Sequence, residues 1–174
     1  MGQTYRESIE KLLNEVKFVD EPKVPFPQAD NFKRIICICE NLLEKNLSSK
    51  DIMELNQFTS RQKDYYANAC IYLSLIEKIR IDHEVYYKLT ERGSNIFKMQ
   101  EYYRNLELCN CLFEHTVFHH VFSIYLIEKS ITLEDVVEIM YQHDININSP
   151  QVYRRRGKTV LSWILWVIEL YNKQ

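Results

Sequence analysis

The stretch Thr59-Ser60-Arg61-Gln62-Lys63-Asp64-Tyr65-Tyr66-Ala67-Asn68-Ala69-Cys70-Ile71-Tyr72-Leu73-Ser74-Leu75-Ile76-Glu77-Lys78-Ile79-Arg80-Ile81-Asp82-His83-Glu84-Val85-Tyr86-Tyr87-Lys88-Leu89 decides the fold. Its first half has helical spacing, and Thr59 or Ser60 can cap a helix over Arg61–Leu73. Then the period changes. Ile76, Ile79 and Ile81, followed by Val85, Tyr87 and Leu89, flank Asp82-His83-Glu84. That pattern predicts a β-hairpin, although its turn lacks the usual glycine.

The residues upstream set the context. Ser48 or Ser49 can cap a short helix, Asp51-Ile52-Met53-Glu54-Leu55, and Phe58-Thr59-Ser60 is a break. Before it, Asn31–Lys45 presents Ile35, Ile36, Ile38, Cys39, Leu42 and Leu43 on one helical face. Helix, short helix, longer helix, hairpin is the plan of a winged helix. The hairpin is the wing. The two middle helices form a helix-turn-helix, whose second member normally enters the DNA major groove.

Further out, Thr4–Phe18 reads as an amphipathic helix through Ile9, Leu12, Leu13 and Val16. Pro22, Pro25 and Pro27 forbid a helix between Asp20 and Asp30 and favour an extended crossing, pinned by Val24 and Phe26. Thr90-Glu91-Arg92-Gly93 starts a helix through Phe97. Tyr102–Glu128 is long, helical and aromatic, with one break near Thr116. Thr132 caps Leu133–Gln142, Asp144–Pro150 is a polar loop, and Pro150 opens a last helix to about Tyr171. A weak repeat adds a second copy: Asp51-Ile52-Met53-Glu54-Leu55 matches Asp135-Val136-Val137-Glu138-Ile139, and Tyr72-Leu73 matches Trp163-Ile164. The expected fold is therefore mainly α, two winged-helix or helix-turn-helix units with one small β-hairpin wing. The expected divisions are 1–24 (first helix and crossing segment), 25–100 (first unit) and 101–174 (helical connector and second unit).

Composition bounds the function. Across 174 residues, 46% hydrophobic content argues against disorder, and only three Gly argue against a turn-rich β-sandwich. The 22 basic and 24 acidic residues leave a net charge of −2, which excludes indiscriminate polyanion binding by the whole protein. That total hides two regions. From Asn146 onward five basic residues face one acidic residue, and the rest of the chain carries the acidic excess. No apolar run reaches membrane-spanning length, the first residues lack a secretory h-region, and five Cys on helix-like stretches suit reduced thiols. A cytoplasmic, nucleoid-associated protein with no membrane partner is expected.

Three groups of residues could meet DNA. On the helix from Arg61, spacing turns Arg61, Asp64 or Tyr65, Asn68 and Tyr72 outward, and Tyr66, Ala69 or Cys70, and Leu73 inward. Arg61, Gln62 and Asn68 can read base edges, while Lys63 and Tyr65 suit phosphate or sugar. The wing offers Lys78, Arg80 and Lys88, with His83 at its tip; a solvated hairpin accounts for them equally well. The last helix offers Arg154, Arg155, Arg156, Lys158 and Thr159. Arg155, Lys158 or Thr159, and Ser162 lie opposite a buried stripe of Val160, Trp163, Ile164 and Val167. The competing reading pairs Arg156 with the acidic loop around Asp144.

Catalytic signals are lacking. No phosphate-cradling Gly loop, HExxH or nucleophile elbow is present. Cys111, His115 and His119 share a helical face with Cys109 and His120 nearby, but the spacing matches no standard zinc pattern, and a core face explains it better. No cofactor and no metal are expected.

Together, Arg61–Ala69, Tyr72-Leu73-Ser74-Leu75-Ile76-Glu77, Leu89-Thr90-Glu91-Arg92-Gly93 and Tyr153-Arg154-Arg155-Arg156-Gly157-Lys158-Thr159-Val160 with Ser162-Trp163 and Trp166-Val167 resemble the tandem winged-helix regions of bacterial restriction–modification proteins. The resemblance runs from about Pro25 onward. It implies recognition of double-stranded DNA within a defence system, as a module or subunit beside a nuclease or methyltransferase. Such proteins often carry a nuclease domain, and no nuclease pattern stands in this sequence. The expected function is sequence-directed duplex DNA binding without catalysis. The alternative is a winged-helix docking or dimerisation module, favoured by net acidity and 12 Tyr; a homodimer fits either. An enzyme with an unrecognised site is the third option.

Overall fold

Capping explains most of the helix boundaries. The structure, a computed structural model, describes residues 4–147 and 149–173. Met1–Gln3, Asn148 and Gln174, which include parts of the expected leaderless start and polar loop, lie outside the described residues. Among the described residues there are nine helices: α1 (Tyr5–Glu15), α2 (Phe32–Asn41), α3 (Ser49–Asn56), α4 (Ser60–Tyr72), α5 (Glu91–Phe97), α6 (Glu101–Phe113), α7 (Thr116–Glu128), α8 (Leu133–Tyr141) and α9 (Pro150–Tyr171). Thr4, Ser48, Thr59 and Thr132 each accept from the backbone N–H three residues on, and the side chain at that position reaches back to the cap. Each reciprocal box satisfies two donors that the helix would leave unpaired. The repeated segments share this device, since Ser48–Asp51 and Thr132–Asp135 occupy equivalent places.

Three strands are present among the described residues: β1 (Leu47–Ser48), β2 (Ile76–Ile81) and β3 (Glu84–Leu89). They form an antiparallel sheet in the order β1-β3-β2. The hairpin register pairs Ile76 with Leu89 and Ile81 with Glu84, leaving Asp82 and His83 as a two-residue turn. Both turn residues have positive φ, 48° and 69°. That is the type I′ pattern, which suits the strand twist and which Asp tolerates better than most residues. β1 extends the expected hairpin by a third strand, with Leu47 opposite Tyr87.

One buried cluster runs through all three expected segments, from Ile9 through Phe26, Ile35 and Tyr87 to Phe118 and Trp163. Phe26 pins the proline-rich crossing as expected. Its ring meets Tyr72 edge-on at 5.7 Å and stacks on Phe118 at 6.2 Å. Phe118 in turn stacks on Trp163 at 5.3 Å. Phe113 of α6 and Phe118 and Phe122 of α7 therefore sit in the centre, while Tyr103 of α6 stays at the surface. The crossing is fixed from the other end too: the Trp163 indole N–H donates to the Ala29 carbonyl at 2.7 Å. α5 is joined to α6 by a two-pronged Arg92–Glu114 pair, both bonds 2.7 Å. No helix among the described residues is long and apolar enough to cross a membrane.

Candidate nucleic-acid interface

α4 is packed on two flanks, against α2 and α3 on one side and β2 on the other. Small residues, Ala67, Ala69 and Cys70, fill the tight contacts. What remains outside is a narrow face. Arg61 is exposed and donates from Nε to the Tyr65 hydroxyl, with its guanidinium over the Tyr65 ring at 5.3 Å. Tyr65 and Asn68 are half-buried along the same face. Gln62 is exposed but committed in part, because its Oε1 accepts from Thr59 N–H at 3.0 Å. Its amide N–H₂ remains for another partner.

Two residues of α4 depart from expectation: Lys63, expected to contact phosphate, and Tyr72, expected to face outward. Lys63 is only 8% exposed. Its ammonium pairs with Asp64 and lies 5.9 Å from the Tyr87 ring. Burial alone would lower its pKa, but the Asp64 hydrogen bond and Tyr87 raise it above the usual lysine value. Tyr72 is buried as well, stacked on His115 at 4.1 Å beneath the crossing segment. The helical wheel could not show this, because the residues that cover Tyr72 come from distant parts of the chain.

α9 divides lengthwise. Val160, Trp163, Ile164 and Val167 are buried as expected. Thr159 is 2% exposed and joins them, which corrects its expected outward position. It stands four residues before Trp163 and so shares the core face. Gly157 gives the same helix a close approach to α8: a Cβ there would sit 2.9 Å from Val137 Cγ2. Ser162 faces the crossing segment and donates to the Asp30 carbonyl. Arg155 and Lys158 are exposed. Arg154 is exposed too, and pairs with Glu134 at 3.0 Å. Such an exposed pair is weak and readily exchanged.

Arg156 does not pair with the loop around Asp144. It is half-buried, and its Nε and Nη1 are buried with no hydrogen-bond partner among the described residues. Burial, then the neighbouring Arg155, pulls its pKa below the usual arginine value. It lines a cavity of about 180 Å³ together with Asp64, Tyr65 and Asn68 of α4 and Pro25–Gln28 of the crossing. The outer face of α4 and the basic start of α9 thus adjoin. On the hairpin, Lys78 and Arg80 are exposed, while Lys88 pairs with Glu77 at 3.1 Å.

The Cys and His residues on and between α6 and α7 make packing and hydrogen-bond contacts within the fold. Cys109 and Cys111 are buried, and burial pushes the Cys111 thiol up to about 12. His119 bonds to the Leu13 carbonyl at 3.0 Å, and His120 to His143 at 3.1 Å. Among the described residues, no group of three His, Cys, Asp or Glu side chains is placed to hold a metal ion.

Residues 34–172 match the family described as Domain of unknown function (DUF7226). The chain belongs to that family. No curated protein and no solved structure matches it.

Proposed function

We propose that this chain binds duplex DNA in a sequence-directed way, without catalysis. The observation that carries the reading is the junction of two helices: Tyr65 and Asn68 of α4 share one cavity with Arg156 of α9. The element order from α2 to β3, with a β1-β3-β2 sheet, supports a winged-helix unit whose wing is β2–β3 and whose reading helix is α4. Arg61, the free amide of Gln62 and Asn68 then read base edges. Tyr65, Lys78, Arg80, Arg155 and Lys158 position phosphates, joined by Arg154 once it leaves Glu134. Lys63 and Thr159 drop out of the contact set because both are buried.

Paired substitutions test the division of labour. Asn68→Ala should change sequence preference, costing about 1–3 kcal/mol on the preferred site, whereas Arg155→Ala should weaken all duplexes alike. Equal loss on every sequence for Asn68→Ala removes the base-reading role.

A second reading draws on a different surface. Exposed Met99 and Tyr103, with Leu12 and Leu106, line a groove of about 530 Å³ between α1 and α6. Such a patch suits a protein partner or a second copy. Light scattering of the purified chain, native and with Tyr103→Glu, tests this: a dimer lost on substitution supports it, and a monomer in both removes the homodimer.

A further inference from the structure

We propose that the groove between α1 and α6 is a docking site for an amphipathic helix of another protein, one whose apolar stripe is flanked by lysine or arginine. The proposal rests on the second reading above, which takes this face as a protein-binding surface, and it fixes the partner's chemistry. The shape calls for a helix. Ser8, Leu12 and Glu15 form an i, i+4, i+7 row on α1, and Tyr103, Leu106 and Glu107 form an i, i+3, i+4 row on α6. Two such rows side by side leave a furrow into which a third helix packs its own ridge. The α1 row is ~10 Å long, the length of about two helical turns. The floor is apolar. Leu12 and Leu106 are half-buried against the core, while Met99 and Tyr103 are 40% and 58% exposed. Met99 also lines an adjoining groove of about 650 Å³ beside α5, so the two run together. Methionine at that join has the flexible, polarizable side chain that adapts to a packed partner.

The rim sets the charge. Glu15, Glu91 and Glu107 line the joined grooves, and none of them is in an ion pair among the described residues. Glu107 is half-buried and lines both grooves. Arg92 feels its charge but is held by Glu114 in the two-pronged pair. Against these carboxylates stands Lys11, which is exposed and also outside any ion pair among the described residues. Lysine or arginine on the partner meets the acidic excess. A second copy of this chain would bring the same carboxylates face to face, and like charges opposed across an interface are costly.

The test uses the full chain and synthetic peptides of ~18 residues, long enough to form a helix on a surface. One carries Leu on an i, i+3, i+4, i+7 stripe with Lys elsewhere. A second keeps the stripe with Glu elsewhere, and a third has the Leu/Lys composition in shuffled order. Binding is followed by fluorescence anisotropy of the labelled peptide and mapped by amide chemical shifts of the protein. The striped Lys peptide should bind saturably, with shifts at Leu12, Met99 and Leu106, and about 10-fold or more tighter than the other two. Tyr103→Ala should weaken it about 10-fold, and Glu107→Gln about 5-fold. Glu15→Lys, at an exposed position, should weaken it too, and decides the charge question if Glu107→Gln does not fold. Equal binding of the two striped peptides in the groove, or no loss in either charge variant, keeps the docking surface and overturns the basic partner. Lys-peptide binding that ignores Tyr103→Ala, or that maps elsewhere, overturns the site. A dimer that excludes the peptide and is lost in Tyr103→Glu gives the groove to a second copy and overturns the proposal. No peptide binding by a monomer ends the docking reading together with the proposal.

Discussion

The Trp163 indole donates to the buried Ala29 carbonyl at 2.7 Å, tying the middle of α9 to the end of the proline-rich crossing. The adjacent Ser162–Asp30 bond repeats the tie at the surface. Together they hold the crossing where Pro25–Gln28 can wall the Arg156 cavity. Trp163→Phe keeps most of the ring but strands the Ala29 carbonyl. A loss of about 1–3 kcal/mol is expected from the unpaired acceptor, seen as a lower denaturant midpoint at constant slope. An unchanged midpoint would mean the bond contributes nothing.

Gly93 marks a second close approach. A Cβ there would lie 2.0 Å from the Leu75 carbonyl oxygen, which also accepts from Thr90 N–H at 3.0 Å. Backbone cannot step aside as a side-chain tip can. Gly93→Ala should cost about 1–3 kcal/mol or more and loosen α5 from the hairpin, as read by faster amide exchange in β3. Native-like stability of this variant would show that the contact yields freely.

The paired caps make an additive prediction. Ser48→Ala and Thr132→Ala each remove the hydroxyl of a reciprocal box and should each cost about 1 kcal/mol. The two caps serve different helices, so the double variant should lose the sum within about 0.5 kcal/mol. A shortfall larger than that would reveal coupling between the repeated segments.

Burial, then His120, lowers the His143 pKa below the ordinary imidazole value, while Glu21 pulls the other way. A depressed folded pKa means the folded state resists protonation. The contribution is therefore fully present above about pH 6.5 and is lost as the pH falls through the lower folded value. The Tm of native protein should drop between about pH 7 and pH 5, and His143→Gln should flatten that part of the curve. An identical slope in the variant would show that His143 does not carry the acid sensitivity; the cap carboxylates Asp51 and Asp135, whose pKa values are lowered by their cap hydrogen bonds, lose their contribution only further down, below about pH 4.

Local signals in the sequence explain why the helix starts and the hairpin were legible. Thr59, Thr132 and Pro150 act within one turn of themselves, and the alternation of Ile76–Leu89 needs no distant partner. β1 was not legible because two residues, Leu47 and Ser48, carry no period. Spacing turns Tyr72 and Thr159 outward, and Lys63 suits a phosphate contact, because a helical wheel assumes one buried side. α4 and α9 are each packed on more than one side, and small or short side chains mark the extra contacts. Arg156 was legible as part of a basic run, but its lack of a partner arises only where α4, α9 and the crossing meet.

The central claim is a duplex-binding face that joins α4 to the start of α9. A salt titration of binding, native protein against Arg155→Ala/Lys158→Ala, tests it most directly, starting near ~50 mM salt where phosphate contacts are strongest. The expected result is binding that weakens linearly in log salt, with a slope shallower by about 1.8 in the double variant, two phosphates' worth. No binding by the native protein at low salt, or the same slope in both proteins, would contradict it.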